Sequence, residues 1–135
     1  MTTVQNECVP IYESGDRVSI VADGAISGRR GVKINASKGV GFPGGNVHAV
    51  QAVAGDRPDG IAVWDLATGE TGSMIREGVV PVDAGATVTA GQQVMLDATG
   101  RVITWTFAAS NANFVVGKAW TDATVGNPCL VALSL

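Results

Sequence analysis

The only histidine, His48, is the one side chain suited to acid–base work near neutral pH, and it stands in the β-prone run Val47-His48-Ala49-Val50. A catalytic triad needs an imidazole that takes a proton from a nucleophile while a carboxylate orients it. Nothing near His48 in the sequence supplies either partner, so it reads as a strand histidine rather than a general base. The run Gly39-Val40-Gly41-Phe42-Pro43-Gly44 spells GxGxxG. That fingerprint works where a strand turns into a helix whose amino end holds pyrophosphate. Here Gly45-Asn46 and a β-prone stretch follow, so no helix opens and no nucleotide site is expected. Asp56, Asp59, Asp65 and Asp122 fall at predicted turns, where Asp commonly bonds its own backbone; turn chemistry is expected of them, not acid–base pairing or cation binding. One histidine and two distant cysteines, Cys8 and Cys129, lack the spacing of a tetrahedral metal site. The residues therefore predict no catalytic group, no cofactor and no metal.

Two further patterns bear on binding. Val82-Asp83-Ala84-Gly85-Ala86-Thr87-Val88-Thr89-Ala90-Gly91-Gln92-Gln93-Val94 is similar in its turn-and-strand rhythm to lipoyl or biotinyl carrier domains. Such domains present a lysine on a hairpin tip, and no lysine lies between Lys38 and Lys118, so the carrier chemistry is missing. Arg29, Arg30, Lys33 and Lys38 form the only basic cluster. It is expected either as a solvated hairpin or as a contact for an acidic protein surface. Cys8 and Cys129 would meet if the terminal strands pair, but a reducing compartment favours two buried thiols.

The elements that must position these residues are strands. The 135 residues hold 20 Val against 5 Leu, with 11 Thr and 18 Gly, and 16% are charged. Val and Thr lose side-chain freedom in a helix and fit a pleated surface, so an all-β chain is expected. With 46% hydrophobic residues it can bury a core, and no apolar run approaches the roughly 20 residues of a membrane span. A net charge of −3 argues against nucleic acid or an anionic membrane as partner. Residues 1–13 hold no Lys or Arg and no long apolar run, which predicts synthesis in the cytoplasm without a signal peptide.

Short β-prone stretches recur about every ten residues with Gly or Pro between them, the rhythm of a small barrel or sandwich. They cover 17–22, 32–34, 47–53, 61–66, 73–77, 79–82, 93–97, 101–107, 114–120 and 129–135. Residues 1–14 are expected as an extended N-terminal arm, and 15–135 as one β-barrel or sandwich domain. Ala98-Thr99-Gly100 suits a hairpin, beyond which Ile103, Trp105 and Phe107 share the face expected to meet the core. There is also an internal echo. Gly60-x-Ala62-x-x-Asp65-x-x-x-Gly69 is matched by Gly117-x-Ala119-x-x-Asp122-x-x-x-Gly126, which predicts the same kind of hairpin twice.

Several motifs together carry a resemblance. Pro10-Ile11-Tyr12-Glu13-Ser14-Gly15-Asp16-Arg17, then Gly60-Ile61-Ala62 with Asp65, then Ile75-Arg76-Glu77-Gly78-Val79-Val80-Pro81-Val82 come in order. Ala84-Gly85-Ala86, Ala90-Gly91 and the closing segment from Gly117-Lys118-Ala119 to Leu135 follow. From about residue 9 onward the chain resembles the head-decoration (capsid cement) proteins of tailed bacteriophages; 35–46 matches nothing in that pattern. The resemblance implies a non-enzymatic β protein on the outer surface of the virion's icosahedral head, stabilising it, often as a homotrimer at threefold or quasi-threefold positions. The major capsid protein would be its partner. It brings no catalytic residues. The arm then becomes the expected contact, since an extended segment can add a strand to a shell subunit. Candidate capsid or subunit contacts are Val4, Val9, Ile11 and Tyr12 in the arm, with Arg29, Arg30 and Lys33. The rival reading is a carbohydrate-binding β module displayed on a virion, whose aromatic platform would have to come from Trp64, Trp105, Trp120 and Tyr12.

Overall fold

Ten short β-prone stretches separated by turns become ten strands among the described residues. The computed structural model describes residues 6–8, 17–35 and 47–135. The strands are β1 (Arg17–Ala22), β2 (Gly31–Ile34), β3 (Val47–Gln51), β4 (Gly60–Ala62), β5 (Thr71–Ile75), β6 (Val79–Asp83), β7 (Gln93–Leu96), β8 (Val102–Thr104), β9 (Gly117–Ala119) and β10 (Pro128–Leu133). A single 3-10 turn, Ala109–Asn111, is the only helical element among the described residues. The all-β fold expected from the Val and Thr content is the fold observed. The GxGxxG run of residues 39–44 lies outside the described residues.

The strands divide into two five-stranded units. In the first, β1, β3, β2, β4 and β5 close into a barrel. In the second, the sheet runs β6-β10-β9-β7-β8, and its two ends meet at one parallel bridge, Ala84 to Val102. The two units have the same plan, pair by pair. Ile20 faces Gly72 as Val82 faces Cys129. Gly31 faces Ile61 as Gln93 faces Lys118, and Ile34 faces Ala49 as Leu96 faces Val102. Ala22 runs parallel to Ala49 as Ala84 does to Val102.

The sequence echo marks the hairpin at the centre of each repeat. Leu66 bridges Ile26, and Ala123 bridges Val88. One residue earlier, the Asp65 carboxylate accepts from the Gly28 amide at 2.8 Å, and the Asp122 carboxylate from the Ala90 amide at 2.8 Å. Gly69 and Gly126 then turn the chain with φ of 86° and 84°, a conformation in which a side chain would be strained. Both hairpins therefore use an Asp to hold a neighbouring segment and a Gly to reverse direction. The sequence predicts that Asp65 and Asp122 bond their own turns; instead they reach across to the Gly28 and Ala90 amides.

Two apolar clusters fill the units. One, around Ile20, Val32 and Met74, lies within the barrel. The other fills the second unit with Val82, Val94, Val116 and Val131, and extends into the first through Ala52, Ile61, Val63 and Ile75. Trp64 packs against both. The β7–β8 hairpin corrects one expectation. On β8 the buried residue is Val102, and the strand ends at Thr104, so Ile103, Trp105 and Phe107 do not face the core. Trp105 is half-buried, its ring edge-on to Phe107 at 5.9 Å and its indole N–H donating to the Asn111 carbonyl. Phe107 is 69% exposed.

That hairpin's turn hangs on Asp97, whose Oδ1 accepts from the Thr99 amide (2.8 Å), the Thr99 hydroxyl (2.9 Å) and the Arg101 amide (3.0 Å). Burial pushes the carboxyl up, but these bonds and the Arg101 charge outweigh it, leaving Asp97 below its ordinary value of 3.8. A carboxylate lowered by folding contributes stability above its unfolded pKa and loses it as pH falls through the folded one. Asp97→Asn is expected to lower stability by about 1–2 kcal/mol at pH 7. The gap to the parent should close in thermal melts below about pH 4; a gap that stays constant with pH would contradict this role.

Candidate functional site

The seam between the two units gathers two of the charged residues singled out from sequence, Arg29 and Arg30. Arg29 and Arg30 precede β2, and Asp83 ends β6. The Asp83 amide donates to the Arg29 carbonyl at 2.8 Å, which sets the carboxylate beside both guanidinium groups, at 3.2 Å from Arg29 Nε and 3.9 Å from Arg30 Nε. None of these three side-chain atoms meets hydrogen-bond geometry, so the attraction is between charges rather than through aligned bonds. Burial pushes the Asp83 carboxyl up, and the opposing charges of Arg29, Arg30 and Arg101 do not bring it back. Arg29 itself has φ of 61°, and its counterpart Gly91 has 91°. The sharp backbone turn is common to both units, but only the first places a cation there.

The basic cluster is therefore not one open patch. Arg29 and Arg30 face Asp83, and Lys33 pairs with Asp56 at 2.9 Å. Burial raises the Asp56 carboxyl, while the hydrogen bonds from Lys33 and Val53 and the Lys33 charge bring it below its ordinary value. Asp59 accepts from the Ile34 amide. Each carboxylate weighed as an acid–base candidate thus holds backbone or a cation of its own chain.

The stretch at residues 6–8 docks beside this seam. Asn6 donates through Nδ2 to the Asp65 carboxylate and accepts from Arg29 Nη2 at 2.9 Å. The Cys8 amide donates to the Val63 carbonyl, and the Cys8 thiol, fully buried, donates to the Pro81 carbonyl at 3.2 Å. This part of the expected arm is thus bound to its own barrel. Val4, Val9, Ile11, Tyr12 and Lys38 lie outside the described residues. Sequence gave no sign of the Asn6 contact, because a short polar run carries no periodicity. The one available signal was Gly28: a Cβ there would collide with the Asn6 carbonyl and stand 2.7 Å from Trp64 Cα.

Both cysteines are free and buried. Cys129 donates to the Thr121 carbonyl at 3.2 Å, and burial pushes its thiol up, against the hydrogen bonds that favour the thiolate. His48 Nδ1 lies 2.7 Å from Asp23 Oδ1, and Asn35 donates to the other Asp23 oxygen at 2.9 Å. This ties the end of β2 and the start of β3 to the residue after β1. It is an Asp–His pair without a nucleophile, since no Ser, Thr or Cys among the described residues bonds the ring. Among those residues no three His, Cys, Asp or Glu side chains cluster as a metal would require.

What the surface offers is docking chemistry. Trp120 is 52% exposed, and Trp105 lines a shallow depression of about 500 Å³ with Gln92, Gln93, Thr104 and Lys118. A second depression, of about 270 Å³, holds Val18, Ile34, Val47 and Asp59. Over residues 12–134 the chain matches the family described as phage cement protein. It belongs to the phage cement proteins. Among solved structures this cement protein is similar to one titled as the head fiber gp8.5 N base in bacteriophage phi29, with a TM-score of 0.71 at 17% identity. The likeness covers 88% of this chain and 93% of that one, and at that identity it bears on fold alone. No curated protein matches the cement protein in sequence. The family makes it a virion component that decorates the capsid.

The docking of residues 6–8 has a direct test. In Gly28→Ala the added methyl is expected to expel Asn6, at a cost of about 1–3 kcal/mol. Cys8 should then react with a thiol reagent in the native protein while Cys129 stays protected. Equal, slow labelling of both thiols would show that the segment does not depend on Gly28.

Proposed function

We propose that this cement protein binds the outer surface of the mature head, on the major capsid protein, and stabilises the shell as a homotrimer at threefold or quasi-threefold positions. The family match across residues 12–134 carries the reading. The physics supports it: a protein that binds the mature lattice better than the immature one shifts the balance toward the mature shell. A trimer presents three contacts at once, so modest single affinities combine through effective concentration. The role is bond-free, and the one imidazole is engaged with Asp23. Synthesis in the host cytoplasm precedes assembly.

The proposed shell contacts are Val4, Val9, Ile11 and Tyr12. The docking of Asn6 and Cys8 gives that arm a fixed root on the barrel. Arg29, Arg30 and Lys33 would add only the edges that Asp83 and Asp56 leave open.

The test is occupancy of heads that lack their own decoration. Removing residues 1–5, together with Val9→Asp and Ile11→Asp, keeps the seam contacts of Asn6 and Cys8. Occupancy is expected to fall about tenfold or more, with an unchanged melting temperature. Full occupancy by this variant would reject the arm, and failure of the parent protein to bind heads would reject the shell reading itself.

A further inference from the structure

Three strands of the second unit bring a tryptophan, two glutamines and a lysine to one open depression. Gln93 of β7 and Lys118 of β9 are directly opposite in the ladder, so their side chains emerge on the same face. The Trp105 amide donates to the Gln93 carbonyl at 2.8 Å, which sets the indole beside them. Gly91, Gln92 and Thr104 complete the lining of the depression, about 500 Å³ in all. The core does not need these residues. In the first unit the Ala52 amide donates to the Gly31 carbonyl as Trp105 does to Gln93, and Gly31 faces Ile61 as Gln93 faces Lys118. Gly31, Ala52 and Ile61 are buried there, whereas Gln93 and Lys118 are exposed.

The polar groups of this depression have fixed roles. Gln92 Oε1 accepts from the Thr89 amide at 3.0 Å and from the Thr104 hydroxyl at 3.1 Å. A backbone N–H can only donate, so the side-chain nitrogen of Gln92 is left as a donor. The indole N–H of Trp105 is spent on the Asn111 carbonyl at 2.9 Å. Asn111 is itself held by the Ala108 amide and the Thr106 carbonyl. Trp105 therefore offers the depression a braced aromatic ring rather than a hydrogen bond. Among the described residues Lys118 has no acidic partner, and no Asp or Glu lines the depression.

A flat ring, amide donors and an unpaired cation together fit a sugar that carries a carboxylate. A sugar ring presents a face of C–H groups that packs on an indole, and hydroxyls that meet side-chain amides. An acidic peptide would use the lysine without needing the ring, and a neutral sugar would leave the lysine unused. We propose that this depression binds an acidic polysaccharide, a uronic-acid unit stacking on Trp105 with its carboxylate at Lys118. The site draws on none of the residues proposed to hold the shell. Being shallow, it binds weakly, and the charge pair at its edge is open to screening by salt.

The experiment titrates the full chain with oligogalacturonate in the absence of heads, so its outcome is independent of shell binding. Calorimetry gives the affinity, and the NMR signals of the indole N–H groups report on the ring. Lys118→Glu is expected to weaken binding about tenfold or more, and Lys118→Arg to keep it within about twofold. Added salt should weaken the parent and leave the Lys118→Glu variant little changed. Trp105→Ala, its fold checked by circular dichroism, is expected to abolish binding; the exposed Lys118 decides the matter should that variant not fold. Dextran oligosaccharides, which lack the charge, and polyglutamate, which lacks the sugar ring, should each bind at least about tenfold more weakly than oligogalacturonate. No binding of oligogalacturonate at millimolar concentration, a Lys118→Glu variant that binds like the parent, or equal binding of dextran or polyglutamate would each overturn the inference. Loss of head occupancy in Lys118→Glu without any sugar binding by the parent would assign this face to the shell instead.

Discussion

The contact on which the rest depends is the seam between the two five-stranded units. Each unit has strands of three to six residues, and domains this small bury too little surface to be secure alone. The second cluster solves this by drawing Ala52, Ile61, Val63 and Ile75 out of the first unit. Apolar area that two separate barrels would expose to water becomes a common core, worth about 25 cal/mol for each Å² removed. Gly31 and Gly100 permit the close approach, and the Arg29 carbonyl fixes the position of Asp83.

The seam also explains why a carboxylate is buried at a cost. Asp83 lies where β6 must pass the turn at Arg29, and its backbone amide is committed there. Its charge is then balanced by Arg29 and Arg30 without well-aligned bonds. A carboxyl raised by burial destabilises the fold while ionised, and acid relieves that cost, the reverse of Asp56 and Asp97. The outer turns at Asp56 and Asp97 gain from neutral pH, whereas the seam bears a charge it would hold more cheaply as the acid. That pattern suits a residue kept for placement, with Arg29 reading the Asn6 side chain on its other edge.

The surface chemistry suits the docking role proposed for this cement protein. Arg29, Arg30 and Lys33, which looked available in the sequence, are paired within the chain, and Phe107, expected to face the core, stands at the surface. Trp105 and Trp120 lie on the second unit at positions whose counterparts in the first, Ala52 and Val63, are buried.

From the sequence alone came the all-β class, the ten strand positions, the repeated Asp–Gly hairpin and the lack of local catalytic spacing. These are legible because β-propensity, period-two alternation and turn residues act over a few neighbouring positions. The docking of Cys8, the pairing of Arg29 with Asp83 and the outward turn of Trp105 were not legible. Alternation shows that a strand has two faces but not which one meets the core when both carry apolar residues, as Val102 and Ile103 do. Nor does a charge reveal whether its partner is water or a carboxylate fifty residues away. Those choices were made when the two units packed together, because burial is a property of the assembled fold and not of any stretch of chain.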